Sequence, residues 1–141
     1  MQAAATNLRV RLREAVIEKR EEGGGQVFVS CRGGFLSGSG GEGRAVPAAR
    51  ARRFAARDAH RPLKAFLDEY SALFGHDSRA VEAARVKREL VGAHNGLRTV
   101  VWEQQLDGVP VFEATLTAHT TRQGELVNVC GRFLGDPARA A

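Results

Sequence analysis

The run LRTVVWEQQL, residues 97–106, followed by Asp107-Gly108 and VPVFEATLTAH, residues 109–119, constrains the fold more than any other part of this chain. Both flanks are rich in β-branched and aromatic residues, which suit a pleated, half-buried surface. Asp-Gly between them supplies the positive φ angles of a two-residue hairpin turn. A second polar turn, TTRQG at 120–124, leads into ELVNVCGRF at 125–133, so the segment predicts an antiparallel meander.

A two-residue turn at Asp107-Gly108 sets Val101 opposite Ala114 and Thr99 opposite Leu116. One sheet face then carries Leu97, Val101, Phe112, Ala114, Leu116 and Ala118, joined by Val127 and Val129 after a turn at Gln123-Gly124. The other face is mixed. It shows Val100, Trp102, Gln104 and Val111 near the hairpin tip, and Thr115, Thr117, His119 and Asn128 farther away. A bulge would shift these assignments.

A helix to cover the apolar face begins at Pro62, a favoured first helical residue, with Leu63, Phe66, Leu67, Tyr70, Leu73 and Phe74 on one side. Gly75 supplies its stop, and Asp77-Ser78 can cap a short second helix, SRAVEAAR. VKRELV, residues 86–91, reads as a strand or as a continuation of that helix, and Asn95-Gly96 marks a turn.

Upstream the patterning is weaker. LRVRLRE alternates Leu8, Val10 and Leu12 with arginines, and QVFVSCRG alternates Val27 and Val29 with other neighbours, both at strand period. AVIEKREEGGG between them could extend a short helix ended by Gly23. GGFLSGSGGEGRAVP is glycine- and serine-rich and is expected to be a flexible loop without a packed core. The division predicted is therefore a variable, flexible region at 1–60, with possible strands, a Gly-rich loop and an Arg-rich linker, before a unit at 61–137. With 141 residues and 43% apolar content, the chain suffices for one ordinary domain.

Charge is localised. Six arginines and one acid, Asp58, between Arg44 and Arg61 give that stretch the whole formal excess of +5. With one aromatic, Phe54, among many alanines it resembles a solvated linker more than a base-stacking platform, so nucleic acid is not the expected partner and salt-sensitive polyanion binding is the weaker alternative. No apolar run approaches the roughly 18 to 20 residues that span a bilayer, and residues 1–20 lack the features of a signal peptide.

Catalytic patterns are absent. Gly38, Gly40 and Gly43 fit GxGxxG, but Gly33-Gly34-Phe35-Leu36 intervene after the strand and Pro47 interrupts the residues beyond, so no helix N-terminus is placed for a pyrophosphate. His60, His76, His94 and His119 have no zinc-ligand spacing, and no G-x-S-x-G elbow occurs. Glu103 and Glu113 have no evident acid–base partner. Cys31 and Cys130 match no metal motif, and the spacing decides neither for a bridge nor for two buried thiols. The sequence carries no enzyme signature, and no catalytic, metal or cofactor residue is assigned.

AFLDEYSALFG, followed by VKRELVGAHNGLRTVVWEQQLDGVPVFEATLTAHTTRQGELVNVCGRFL, resembles the fungalysin and thermolysin propeptide domain, closest to the fungalysin branch. Phe66-Leu67, Leu73-Phe74-Gly75, Asn95-Gly96, Gln104-Gln105, Asp107-Gly108, Val109-Pro110-Val111-Phe112 and Gly124-Glu125-Leu126-Val127 carry the likeness, over about residues 61–137. The resemblance implies an α+β, cystatin-like fold, in which an antiparallel meander packs on a helix. It implies a pro-region that chaperones and restrains a secreted zinc metalloendopeptidase, with that peptidase as partner in cis or in trans. Zinc is then expected only in a peptidase domain absent from this sequence. The alternatives are a stand-alone peptidase inhibitor and a non-functional fragment. For a partner surface, the greasy end of the mixed face points to Val100, Trp102, Gln104, Gln105, Pro110 and Val111.

Overall fold

The computed structural model describes residues 2–20 and 25–133. The helix stop expected at Gly23 and the end of the 61–137 unit lie outside the described residues. Pro62 sits in the first turn of α3, Arg61–Glu69, whose Leu63, Phe66 and Leu67 are buried. After a break at Tyr70, α4 (Ser71–Phe74) buries Leu73 and Phe74 and ends at Gly75, whose left-handed φ of 82° favours glycine. The Asp77 carboxylate accepts a hydrogen bond from the Arg79 backbone N–H at 2.9 Å and caps α5, Ser78–Ala83.

The ambiguity at 86–91 resolves as strand. With β1 (Ala15–Arg20), β2 (Gln26–Cys31), β3 (Arg85–Val91), β4 (Arg98–Leu106), β5 (Val109–Thr120) and β6 (Leu126–Gly131), the sheet has the order β1-β2-β6-β5-β4-β3 with antiparallel neighbours throughout. The fold is α+β, with one six-stranded sheet and helices packed on one of its faces.

Three expectations for the first sixty residues are corrected. LRVRLR is not a strand but the end of helix α1, Gln2–Arg11. Leu8 and Leu12, four apart, satisfy helical as well as strand spacing; Leu8 is buried and Leu12 packs beside it, while Val10 is 74% exposed. AVIEKR forms β1 instead of a helix, because β-branched Val16 and Ile17 pair with Ser30 and Val29 of β2. The glycine-rich stretch is packed rather than free. The Leu36 N–H donates to the Leu126 carbonyl and the Leu126 N–H to the Ser37 carbonyl, forming a bridge, and Leu36, Ala45 and Val46 are fully enclosed in the core.

The Arg-rich stretch is likewise built in. It forms the short helix α2, Ala48–Ala51, with Ala51 buried. Glu69 of α3 gathers Arg11 from α1 (2.9 Å) and Arg50 from α2 (3.1 Å) into one ion cluster. Burial opposes ionisation of Glu69, but hydrogen bonds from Arg11 and Arg50 outweigh it and hold the carboxyl below its ordinary range. Cys31 and Cys130 are both free thiols.

The sheet register also differs from expectation. Asp107 (φ 52°) and Gly108 (φ 79°) make the two-residue turn, with Leu106 opposite Val109. Between that pair and Glu103 opposite Thr115, β5 carries three residues more than β4. An odd excess exchanges the faces of everything beyond it. Val101 therefore lies opposite Thr117, and Trp102 opposite Leu116. The core face of β4 is Val100, Trp102 and Gln104, with Ala114, Leu116 and Ala118 of β5 as expected. Val101 lies on the outer face, and Phe112 leaves the core altogether. A second irregularity, between His119 and Thr120, buries Leu126 and Val129 and leaves Val127 half-exposed.

Candidate partner surface

The bulge in β5 shapes the hairpin tip. Glu113 at its centre holds a φ of 57°, a conformation that costs an L-residue about 1 kcal/mol or more outside glycine. Pro110 just before it has no N–H to give to a ladder, which suits a strand at an irregularity. The consequence is that Phe112 stands 88% exposed and Val109 64% exposed, two large apolar side chains at the end of a hairpin. An exposed phenyl ring beside a valine is the kind of apolar surface that partner sites present.

Beside the tip, the outer face of the sheet forms a groove of about 560 Å³ lined by Pro110, Val111, Phe112, Glu103, Lys87 and Cys130, among others. Its rim is charged. Glu103 faces Arg85 (3.2 Å) and Lys87 (3.8 Å), and Glu113 faces Arg132 at 3.5 Å. In each pair at least one partner is solvent-accessible, so the pairs contribute little to stability, yet they set alternating charge around Pro110, Val111 and Phe112. Gln26 donates to the Cys130 sulfur at 2.9 Å, closing the groove on the β2 side.

The six residues expected to form the surface divide. Val100 and Trp102 belong to the core: Trp102 is 3% exposed and meets the His60 ring edge-on. Gln104 is also buried. An unbulged register would expose all three, and the three-residue excess turns them inward. Gln104 and Gln105 line a different groove, of about 660 Å³, formed with Ser71, Gly75, His76 and Ala80 on the helix side. Of the six, Pro110 and Val111 alone line the outer groove, and Phe112, which alternation assigns to the core, joins them there. Pro110 inside a strand-like run is the one signal of the bulge that exposes Phe112.

Among the described residues no three His, Cys, Asp or Glu side chains cluster in a way that could hold a metal ion, and no helix is long and apolar enough to cross a membrane.

Residues 82–133 match the family model of the Fungalysin/Thermolysin Propeptide Motif. The matched segment runs from the last turn of α5 through β3, β4, β5 and β6, and so contains the hairpin, its bulge and most of the outer groove. Helix α3 precedes it. Comparison with curated proteins and with solved structures gives no match.

Proposed function

We propose that the chain acts as a pro-region of a fungalysin-type zinc metalloendopeptidase, chaperoning its folding and restraining it, and that the bulged β4–β5 hairpin is the surface that meets the peptidase. The observation that carries the reading is that the propeptide motif at 82–133 spans the strands presenting Pro110, Val111 and Phe112 to solvent. Helix α3 across the sheet is read as a cystatin-like arrangement, with 61–137 as the propeptide unit and the earlier strands as its extension. Action is by surface complementarity, in cis within a precursor or in trans, in the secreted setting of such peptidases. Zinc belongs to the peptidase, and this chain supplies no reacting group to it.

The contact uses an apolar anchor with a charged rim. Phe112 is large enough to fill a pocket on a partner, and aromatic anchors of this kind dominate interface energies. Glu103 and Glu113 with their basic neighbours orient the approach more than they strengthen it. The test mixes the full chain with fungalysin- and thermolysin-type catalytic domains, including any encoded beside it, and follows cleavage of a fluorogenic peptide. Dose-dependent inhibition, and a higher yield of active peptidase on refolding, are expected. A chain that changes neither, at micromolar concentration against every enzyme tried, removes the reading.

A further inference from the structure

On the side of the molecule away from the hairpin tip, a cleft of about 510 Å³ collects four arginines from segments far apart in sequence. Arg57 and Arg61 come from the basic stretch, Arg98 from the start of β4, and Arg122 from the β5–β6 turn. Of these, Arg98 faces a carboxylate, Glu89, at 3.4 Å. Arg57, Arg61 and Arg122 have no carboxylate partner among the described residues. Asp58, the acid lining the cleft, is engaged by the Lys64 ammonium and the His60 backbone N–H, both at 2.8 Å.

Arg61 is the decisive member. It is 8% exposed, and its Nε is buried without a hydrogen-bond partner. A buried N–H donor left without an acceptor is costly, and buried polar groups are ordinarily paired. Arg122 is seated independently: its guanidinium lies over Gly96, where a Cβ would come within 2.6 Å of Arg122 Nε. Gly96 also holds a φ of 68°, so the turn both requires glycine and clears the space the arginine occupies. The first turn of α3, with Arg61 and Pro62, adds the positive end of a nine-residue helix to the same cleft.

We propose that this cleft binds a doubly charged oxyanion, of the phosphate or dicarboxylate class, on Arg61 and Arg122 with Arg57 and Arg98 at its rim. Guanidinium groups suit such ligands because they offer paired N–H donors to two oxygens at once. With Arg98 paired to Glu89 and Asp58 to Lys64, Arg57, Arg61 and Arg122 leave three positive charges in the cleft, more than enough to balance a dianion. The site stands on its own geometry and does not depend on the propeptide reading.

The test is calorimetric titration of the full chain with inorganic phosphate and, separately, with succinate, at ionic strength held constant by chloride. Saturable binding of one anion per chain is expected, and whichever anion responds identifies the class. Arg122→Gln, at a surface turn, weakens binding by about tenfold or more. Arg61→Met abolishes it and raises the melting temperature of the unliganded protein, because a buried N–H donor without an acceptor is replaced by an apolar chain. Arg53→Gln, outside the cleft, leaves the affinity unchanged. No saturable response to either anion overturns the proposal, as does unchanged affinity in Arg122→Gln and Arg57→Gln, which decide the matter if Arg61→Met does not fold.

Discussion

The imidazole of His60 meets the indole of Trp102 edge-on, with ring centroids 5.0 Å apart and planes at 80°. The contact ties the residue before α3 to the core face of β4, and with it the basic segment to the sheet. It also shields the imidazole partly from water. Burial pushes the His60 pKa below its ordinary 6.5, although Asp58 and Glu89 pull the other way. His76, between Phe74 and Phe133, is lowered for the same leading reason, burial, against the opposing pull of its Asp77 neighbour.

A pH dependence arises from these two groups. Where the unfolded chain binds a proton that the folded one refuses, stability rises with pH. The contribution is therefore present above the ordinary value of 6.5 and is lost as pH falls from there through the lowered folded values. Thermal midpoints should be level above about pH 7 and decline below it. The double variant His60→Gln, His76→Gln should flatten that decline, and an unchanged slope would assign it to other groups.

How much of this is legible in the sequence depends on scale. Gly75, Asp77 and Asp107-Gly108 each act through backbone geometry local to a few residues, and each does in the fold what its type suggests. The bulge is not local in the same sense. Nothing in the alternation of VPVFEATLTAH distinguishes a regular ladder from one with three extra residues, and that excess decides whether Trp102 or Val101 faces inward. The loop around Leu36 is hidden for a different reason. Glycine content reports a high entropic cost of ordering, but bonds to Leu126 and burial of Leu36, Ala45 and Val46 offset it through partners ninety residues away in the chain or in another element. The arginine cleft is visible only as charge, since Arg98 and Arg122 join Arg57 and Arg61 through tertiary structure.

Glu113 offers a test of the bulge itself. Its φ of 57° is strained for an L-residue, and its ion pair with Arg132 is largely solvated. Glu113→Gly should therefore be neutral or stabilising, the relief of strain offsetting glycine's greater unfolded entropy. Glu113→Val places a β-branched residue where φ is positive and should cost roughly 1–2 kcal/mol. Urea denaturation of both variants measures the difference, and equal stabilities would mean that β5 runs without the bulge.

The Arg11–Glu69–Arg50 cluster should matter more than an ordinary surface pair, because Glu69 is only 11% exposed while its arginines reach it from two other elements. Glu69→Gln keeps the shape and loses both charge-assisted bonds, for an expected loss of about 1–3 kcal/mol. Since Glu69 is held below its ordinary 4.5, this contribution is present above that value and disappears as pH falls through the lowered folded one. The effect of the variant should accordingly shrink in acid, in a window separate from that of the histidines. A loss that stays constant into strong acid would point to packing instead.

Trp102 and Phe112 are the sharpest pair for separating folding from contact. Both are aromatic residues of the same hairpin, yet one is 3% exposed and the other 88%. Trp102→Ala empties a site enclosed by the core and should cost about 3–5 kcal/mol, so any loss of peptidase binding in that variant reports unfolding. Phe112→Ser removes a ring that water already surrounds. Its melting temperature should stay within about two degrees of the parent, because surface changes seldom exceed about 0.5 kcal/mol. If the bulged tip is the docking surface, Phe112→Ser should raise the inhibition constant toward a susceptible peptidase by about tenfold or more, of the order expected for an interface anchor. A variant that folds and inhibits like the parent would move the contact away from the tip, whatever the fate of the chain as a pro-region.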